Sequence, residues 1–239
     1  MGVVLMLGSA PGVTEAADWP RAPFDRIIAI NNAWRVRADW DASVFPWDFP
    51  QDRRPAAEPG QQLVTEDLFV PAQNRFGGFV FAGATMAFTV GYWALDALRP
   101  KVLAVFGCDM HYAATGKTHF YGSGAPDPLR KDITLRSLEA KSARLMVLAA
   151  MQGCAVVNLS TGPSRLVVPR VARKAAAHAR PLPWSADLAA AALEAEAELG
   201  YDVPSGRYWE ELDRFDPAAL DRVDALWLAA AQQALRQTA

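Results

Sequence analysis

Six short apolar runs, each followed by turn-forming or polar residues, constrain the fold of this chain more than any other feature of its sequence. The first, VVLMLG over residues 3–8, is a continuous run rich in branched side chains, which is typical of a strand buried on both faces. Further runs are predicted as strands at residues 26–31, 42–48, 62–67, 101–110 and 155–160. Pro46 weakens the third run, because a proline inside a strand pattern indicates a strand end or a bulge.

Helical patterns alternate with these strands. Residues 83–98 carry apolar side chains on one side and stop before Pro100, and residues 134–152 stop at Gly153. This alternation predicts an α/β fold, a three-layer Rossmann-like architecture with a mostly parallel sheet, over residues 1–165. The Ala-rich segments at residues 166–180, 185–199 and 217–236 predict a C-terminal helical extension over residues 166–239.

Composition excludes several classes of protein. Half of the residues are hydrophobic and the formal net charge is −2, so nothing indicates a nucleic-acid or anionic-membrane partner. No apolar stretch is long enough for a transmembrane helix or a signal peptide, and we therefore expect a cytoplasmic protein. Cys108 and Cys154 lie in apolar runs and are predicted to be reduced core residues.

Polar side chains follow the predicted strands at the point where each strand ends. Ligands bind beyond the carboxyl ends of the strands in open parallel sheets, so these residues predict a ligand cleft. The alternative is that they only cap turns and helices. The strand-end residues are Gly8, Ser9, Asn31, Asn32, Asp48, Gly107, Asp109, Asn158 and Ser160.

The first strand end reads GSAPG, residues 8–12. It lacks the GxGxxG fingerprint of dinucleotide-binding folds and the lysine of a P-loop. Its small residues would still allow backbone N–H groups to approach an anion, particularly if a helix begins near Val13. A plain turn between strand and helix is the alternative.

Residues 107–128 hold two of the three histidines, His111 and His119, together with Asp109, Tyr112 and Tyr121. Histidine transfers protons near neutral pH, so the pair predicts acid–base chemistry, with a structural role as the alternative. Asp109 and His111 alone are too few to hold a divalent metal, and no metal site is predicted. No GxSxG motif is present, which disfavours hydrolase chemistry.

A basic stretch without acidic residues covers residues 164–180. We interpret it as a solvated helix face, or one that pairs with the acidic helices after it; contact with a phosphate or an anionic acceptor is the alternative. Its members are Arg165, Arg170, Arg173, Lys174, His178 and Arg180.

The order of the motifs resembles that of a known group of enzymes. GSAPG, INNAW, VFPWD, FAGATMAF, FGCDMHY, THFYGSG and VVNLS follow one another over about residues 3–165. They resemble the bacterial CMP-sialic-acid-dependent sialyltransferases with a single Rossmann-like domain. They also resemble the related group of motility accessory factors and archaeal hydroxymethyldihydropterin pyrophosphokinases.

The resemblance implies a set of nucleotide contacts. In the sialyltransferases the first loop meets the nucleotide, the Asn after the second strand contacts the nucleotide sugar, and the third strand ends near the cytidine phosphate. A helix start made of small residues lies against the donor. The implied contacts here are Gly8, Ser9, Ala10, Pro11, Asn31, Asn32, Asp48, Gly83, Ala84, Thr85 and Asp109.

The resemblance also implies catalytic residues. Ser123 stands where the sialyltransferases have a catalytic His at the end of a motif like HYIGH, and His119 matches the first His of that motif. His119, or alternatively His111, is therefore the expected proton-transfer residue. Tyr112 and Tyr121 are the tyrosines available to hold the departing phosphate, at a spacing that differs from the family's.

Three functions follow as expectations. The first is a glycosyltransferase that moves a sugar from a nucleotide donor, CMP-linked by preference, to a hydroxyl of an unknown acceptor without a required cofactor. The second is magnesium-dependent pyrophosphoryl transfer, with Asp109 or Asp48 holding the ion. The third is a non-catalytic nucleotide- or glycan-binding relative, because Ser123 occupies the family's base position. A lid, an acceptor platform and a homo-oligomer interface are the roles open to the C-terminal helices.

Overall fold

The structure, a computed structural model, describes residues 2–112, 115–123 and 129–238, with the backbone alone for residues 233–238. Residues 113, 114 and 124–128, which belong to the histidine-containing segment 107–128, lie outside the described residues. Six strands of the described ranges form one sheet in the order β4-β3-β2-β1-β5-β6, and all five of their pairings are parallel. The predicted Rossmann-like α/β fold is therefore confirmed. The strands are β1 Val3–Leu7, β2 Arg26–Ile30, β3 Ala42–Val44, β4 Gln62–Val64, β5 Val102–Phe106 and β6 Ala155–Asn158.

In the part of the chain that the structure describes, six α-helices accompany the sheet. They are α1 Glu66–Asn74, α2 Gly78–Ala82, α3 Met86–Ala97, α4 Leu138–Met151, α5 Ala186–Leu199 and α6 Pro217–Thr238. The predicted strand at residues 62–67 ends early because α1 begins at Glu66. Pro71 lies inside α1. Because proline normally breaks a helix, the sequence around it does not predict one.

The two faces of the sheet bury different side chains, as the alternation along each strand requires. Val4 and Met6 of β1 face one side, where all six α-helices contribute to a large hydrophobic core. Leu5 and Leu7 face the other side, which is covered by shorter 3₁₀ segments instead of α-helices. These segments are Pro11–Asp18, Asn31–Val36 and Arg173–His178.

The predicted helix at residues 166–180 is wrong. Only Arg173–His178 is helical, as a 3₁₀ segment, and the residues before it run beside β6. The amide of Asn158 donates to Pro169 O at 2.8 Å, and the amide of Val171 donates to Asn158 O at 3.1 Å. Pro169 has no N–H to give to a helix, and its neighbours use their backbone groups to extend the edge of the sheet.

The last two helices join the same core as the sheet through two buried ion pairs. Lys141 on α4 donates to Asp224 on α6 at 2.7 Å. Arg144 on α4 donates to both carboxylate oxygens of Glu196 on α5 at 2.7 Å. The indole Nε1 of Trp227, fully buried on α6, also donates to Glu196. Three helices are therefore fixed to one another by buried ion pairs, with Asp224 Oδ2 left without a hydrogen-bond partner among the described residues.

Both cysteines are free and buried, as expected. Among the residues that the structure describes, none of the helices combines the length and the apolar character needed to cross a bilayer.

Candidate functional site

A cleft of about 540 Å³ opens at the carboxyl ends of the central strands. The strand order reverses between β1 and β5. Strands β2, β3 and β4 lie on one side of β1, whereas β5 and β6 lie on its other side. Ligands of open α/β sheets bind at such a switch point. The predicted site residues that line this cleft are Gly8, Ser9, Ala10, Asn31, Asn32, Thr85, Asp109, His111, Tyr112, His119 and Tyr121.

The GSAPG turn is tied to the loop after β5. The amide of Gly8 donates to Phe106 O at 2.8 Å, and that of Ala10 donates to Gly107 O at 2.9 Å. A Cβ on Gly8 would lie 2.3 Å from Gly107 O, so glycine is required by the close approach of the two backbones. Two of the amides in this turn are thus already used inside the protein, and the turn is not a cradle that offers all its N–H groups to an anion.

Two asparagine side chains follow β2 and line the cleft. Asn31 has a φ of +50°, a left-handed conformation that asparagine tolerates better than most residues. The Oδ1 atoms of Asn31 and Asn32 are buried and have no hydrogen-bond partner among the described residues. Buried polar atoms are rarely left in this state in folded proteins. Both residues therefore bring an acceptor atom without a partner to the wall of the cleft.

Asp109 lies at the end of β5 and is held from behind by β6. Its Oδ1 accepts a hydrogen bond of 2.9 Å from Asn158, whose own Oδ1 accepts from the amide of Ser160 at 2.9 Å. Ser160 Oγ accepts from the amide of Gly107 at 3.2 Å. Asn158 and Ser160, which the sequence also places at a strand end, thus position Asp109 and do not line the cleft themselves.

Cys108 also lines the cleft, but its chemistry is unfavourable for nucleophilic attack. Burial, and after it the charge of Asp109, raises the pKa of the thiol well above its usual value. A thiol that keeps its proton is a poor nucleophile and a poor metal ligand.

His119 lies on a tight turn that folds onto the GSAPG loop. The backbone of His119 exchanges two hydrogen bonds with Gly122, and the amide of Phe120 donates to Ser9 O at 3.0 Å. The imidazole stacks on Tyr121 with ring centroids 5.0 Å apart, and its Nδ1 lies 2.9 Å from Thr118 Oγ1. No described residue hydrogen-bonds to Nε2.

Burial lowers the pKa of His119 below its usual value. The imidazole is therefore neutral at neutral pH and able to accept a proton, as a general base requires. His111 and Tyr121 are exposed at the mouth of the cleft, and Tyr112 is half-buried beside His119. Ser123 lines the cleft as well, with its hydroxyl donating to Gly116 O at 2.9 Å.

The first turn of α3 forms another wall. Thr85, Met86 and Ala87 line the cleft, and the Thr85 side chain makes no capping hydrogen bond to the helix. The N-terminus of a helix carries partial positive charge and favours anions.

Two arginines in the cleft went unrecognised from the sequence. Arg35 lies on the 3₁₀ segment that follows β2, and Arg53 lies on another, Gln51–Arg53. Both are exposed, and neither forms an ion pair with a described carboxylate. Trp34 Nε1 donates to Arg53 O at 2.9 Å, which holds the two segments together. Both arginines lie in short turns, and no periodic pattern in the sequence distinguishes these turns from other loops.

Four of the predicted site residues lie outside the cleft. Pro11 begins the 3₁₀ segment Pro11–Asp18. A Cβ placed on Gly83 would point at Phe88 and Lys141. Asp48 and Ala84 line a neighbouring cavity. Among the described residues there is no group of three His, Cys, Asp or Glu side chains that could hold a metal.

No family model, curated protein or solved structure matches this chain. A function can therefore be inferred only from the fold and from the geometry of the cleft.

Proposed function

We propose that the protein is a glycosyltransferase that uses a nucleotide-sugar donor, with His119 as the general base. The observation that carries this proposal is the neutral imidazole of His119, with Nε2 unpartnered among the described residues, inside a cleft that also holds two arginines without an ion pair to any described carboxylate. A base beside an anion-binding region suits attack by a hydroxyl on a carbon whose leaving group is a phosphate.

The anionic part of the donor is assigned to the positive side of the cleft. Arg35 and Arg53 offer two guanidinium groups, and the start of α3 offers backbone N–H groups at Met86 and Ala87. The Oδ1 atoms of Asn31 and Asn32 accept hydrogen bonds from amino or hydroxyl groups of the donor. A CMP-linked sugar, with an exocyclic amino group on its base, fits this set.

In the reaction, His119 Nε2 removes the proton of the acceptor hydroxyl as the oxygen attacks the anomeric carbon. The bond between that carbon and the phosphate oxygen breaks, and its electron pair leaves with the phosphate. The departing charge is met by Arg35 and Arg53, with the hydroxyls of Tyr112 and Tyr121 as further donors. Attack opposite the leaving group inverts the anomeric centre.

The magnesium-dependent alternative retains one supporting observation, the carboxylate of Asp109 in the cleft. Asp48, the second candidate ligand, lies in the neighbouring cavity, so the two carboxylates do not form one site. Magnesium bound to a phosphate substrate needs only one or two protein carboxylates, and Asp109 is the one that would hold it.

A thermal-shift series with CMP, CDP, UDP, GDP and ATP, each with and without magnesium, separates these functions. A ligand that binds the native state raises the melting temperature according to its occupancy. We expect CMP or CDP to give the largest shift, unchanged by EDTA, and a CMP-sugar to be turned over with EDTA present. A shift confined to ATP with magnesium would contradict the glycosyltransferase. Nucleotide binding without turnover of any nucleotide sugar would favour the non-catalytic relative.

A further inference from the structure

A second cavity, of about 1140 Å³, lies beside the cleft and shares the lining residue Met86 with it. Its walls come from the loop after β3, the start of α1 and the loop at residues 205–210. The reaction proposed for the cleft uses none of its side chains.

Two exposed tryptophans line this cavity. Trp47 is 65% exposed and Trp209 is 50% exposed, although large aromatic side chains are normally covered in folded proteins. Trp209 packs edge-on against Tyr208, with ring centroids 5.5 Å apart. The hydroxyl of Tyr208 donates to Asp132 at 2.6 Å. Trp209 is thus exposed on a wall that is itself held in place.

The charges around the tryptophans are unbalanced. Five carboxylates and two guanidinium groups line the described part of the cavity: Asp48, Glu66, Asp67, Asp132 and Glu210 against Arg130 and Arg207.

Both of these guanidinium groups already have a carboxylate partner. Arg130 is paired with Asp132 at 3.0 Å, and Arg207 with Glu210 at 3.5 Å.

The three remaining carboxylates, those of Asp48, Glu66 and Asp67, have no cationic partner among the described residues. The Oε2 atom of Glu66 is moreover buried and has no hydrogen-bond partner among the described residues. A buried carboxylate oxygen is costly to leave unpaired, and the carboxylates of Asp48 and Asp67 are exposed and open to a ligand that brings positive charge.

We propose that this cavity binds a small organic ligand that carries an ammonium group, either quaternary or as a protonated amine. The faces of tryptophan rings attract cations, and tryptophan does so more strongly than the other aromatic residues. The unpaired carboxylates supply the opposite charge, which a neutral sugar or a nucleotide phosphate would not need. The proposal does not depend on the reaction assigned to the cleft.

The test compares cations with neutral molecules of nearly the same shape, on the full chain. Isothermal titration calorimetry would measure choline against 3,3-dimethylbutan-1-ol, and glucosamine against N-acetylglucosamine. We expect at least one cation to bind about tenfold or more tightly than its neutral partner. Trp209→Ala and Asp67→Asn should each weaken that binding by about threefold or more.

Two variants from the same region serve as controls. Leu212→Ala removes an exposed apolar side chain and Asp213→Asn removes an exposed charge, and neither residue lines the cavity. Both should leave cation binding unchanged. If Trp209→Ala fails to fold, Trp47→Ala provides the same measurement. Neutral partners that bind as tightly as the cations, an absence of binding by both cations, or cation binding that survives Trp209→Ala and Asp67→Asn would each overturn the proposal.

Discussion

The amide of Phe120 donates a hydrogen bond of 3.0 Å to the carbonyl oxygen of Ser9, which joins the turn of the proposed base to the loop after the first strand. His119 precedes Phe120 directly, so its position depends on the backbone of the GSAPG turn. The GSAPG turn is itself fixed to the end of β5 by hydrogen bonds from the amides of Gly8 and Ala10. A disturbance of the first loop should therefore affect catalysis as well as binding.

Gly8→Ala tests this dependence. The new Cβ would lie 2.3 Å from Gly107 O, a backbone atom that cannot move without shifting the loop after β5. We expect a loss of stability on the order of 1–3 kcal/mol and a clear loss of nucleotide affinity. Gly12→Ala is the matched control, since its Cβ would have its nearest neighbour, Glu15 Oε1, at 4.0 Å. Urea denaturation and calorimetry measure both quantities, and equal effects of the two variants would contradict the prediction.

His119→Ala should reduce kcat by about 10²–10⁴-fold, the range attributed to general base catalysis. Nucleotide affinity should change little, because the imidazole acts on the acceptor hydroxyl. His178→Ala provides the control, since His178 is exposed and lies outside the cleft. Steady-state kinetics and calorimetry on the same preparations separate the two effects. Full turnover in His119→Ala would remove this residue from the mechanism.

The pH dependence of kcat/KM should show a limb from His119. A base works in its neutral form, and burial lowers the pKa of His119 from its usual 6.5. Activity should thus be at its plateau at neutral pH and fall as the pH drops through a value below 6.5. This limb should vanish from the residual activity of His119→Ala. A limb centred above pH 7 would argue for a different base.

Arg35→Gln and Arg53→Gln should each weaken nucleotide binding by about tenfold, the loss expected for one hydrogen bond to a charged group. The effect should shrink as salt is added, because both guanidinium groups are exposed and screened by ions. Arg180→Gln removes an exposed arginine that does not line the cleft and should leave affinity unchanged. If the loss is equal for the nucleoside and the nucleotide, the arginines do not contact phosphate.

Arg144→Met should destabilise the fold by about 3–5 kcal/mol, because it leaves the buried Glu196 without its partner. The pair between Arg136 and Asp221 offers a contrast, since it is exposed although it too holds one of the last two helices, in this case α6. Arg136→Met should cost no more than about 1 kcal/mol. Chemical denaturation measures both, and similar losses would show that burial of the pair is not what matters.

The sequence predicted the sheet well because each strand is a short apolar run that ends in polar residues. It also predicted that Gly8, Asn31 and Asp109 would meet, since the carboxyl ends of parallel strands share one edge. This inference needs no side-chain detail. It rests on the strand assignment alone, which is why it survives the shift of several strand ends by a few residues.

Other features were out of reach of the sequence for physical reasons. Arg35 and Arg53 lie on short 3₁₀ segments, which have no periodic pattern long enough to recognise. Asp48 follows β3, but the chain after Pro46 turns away from the switch point and carries the carboxylate into the second cavity. The segment around Pro169 has helical composition, yet its hydrogen bonds go to Asn158 on the edge of the sheet. Tertiary partners decided the conformation there, and local propensity did not.

The buried pair between Lys141 and Asp224 has a consequence for how the protein is made. Lys141 belongs to α4, which is synthesised before β6, whereas Asp224 appears only when α6 is translated. Until then the nascent chain carries the Lys141 ammonium group without its carboxylate counterpart. All six strands precede α6 in the chain, so the helical face of the sheet stays incomplete until α6 has emerged. Slow translation of the segment before α6 would lengthen the time for which this face is exposed to chaperones and proteases.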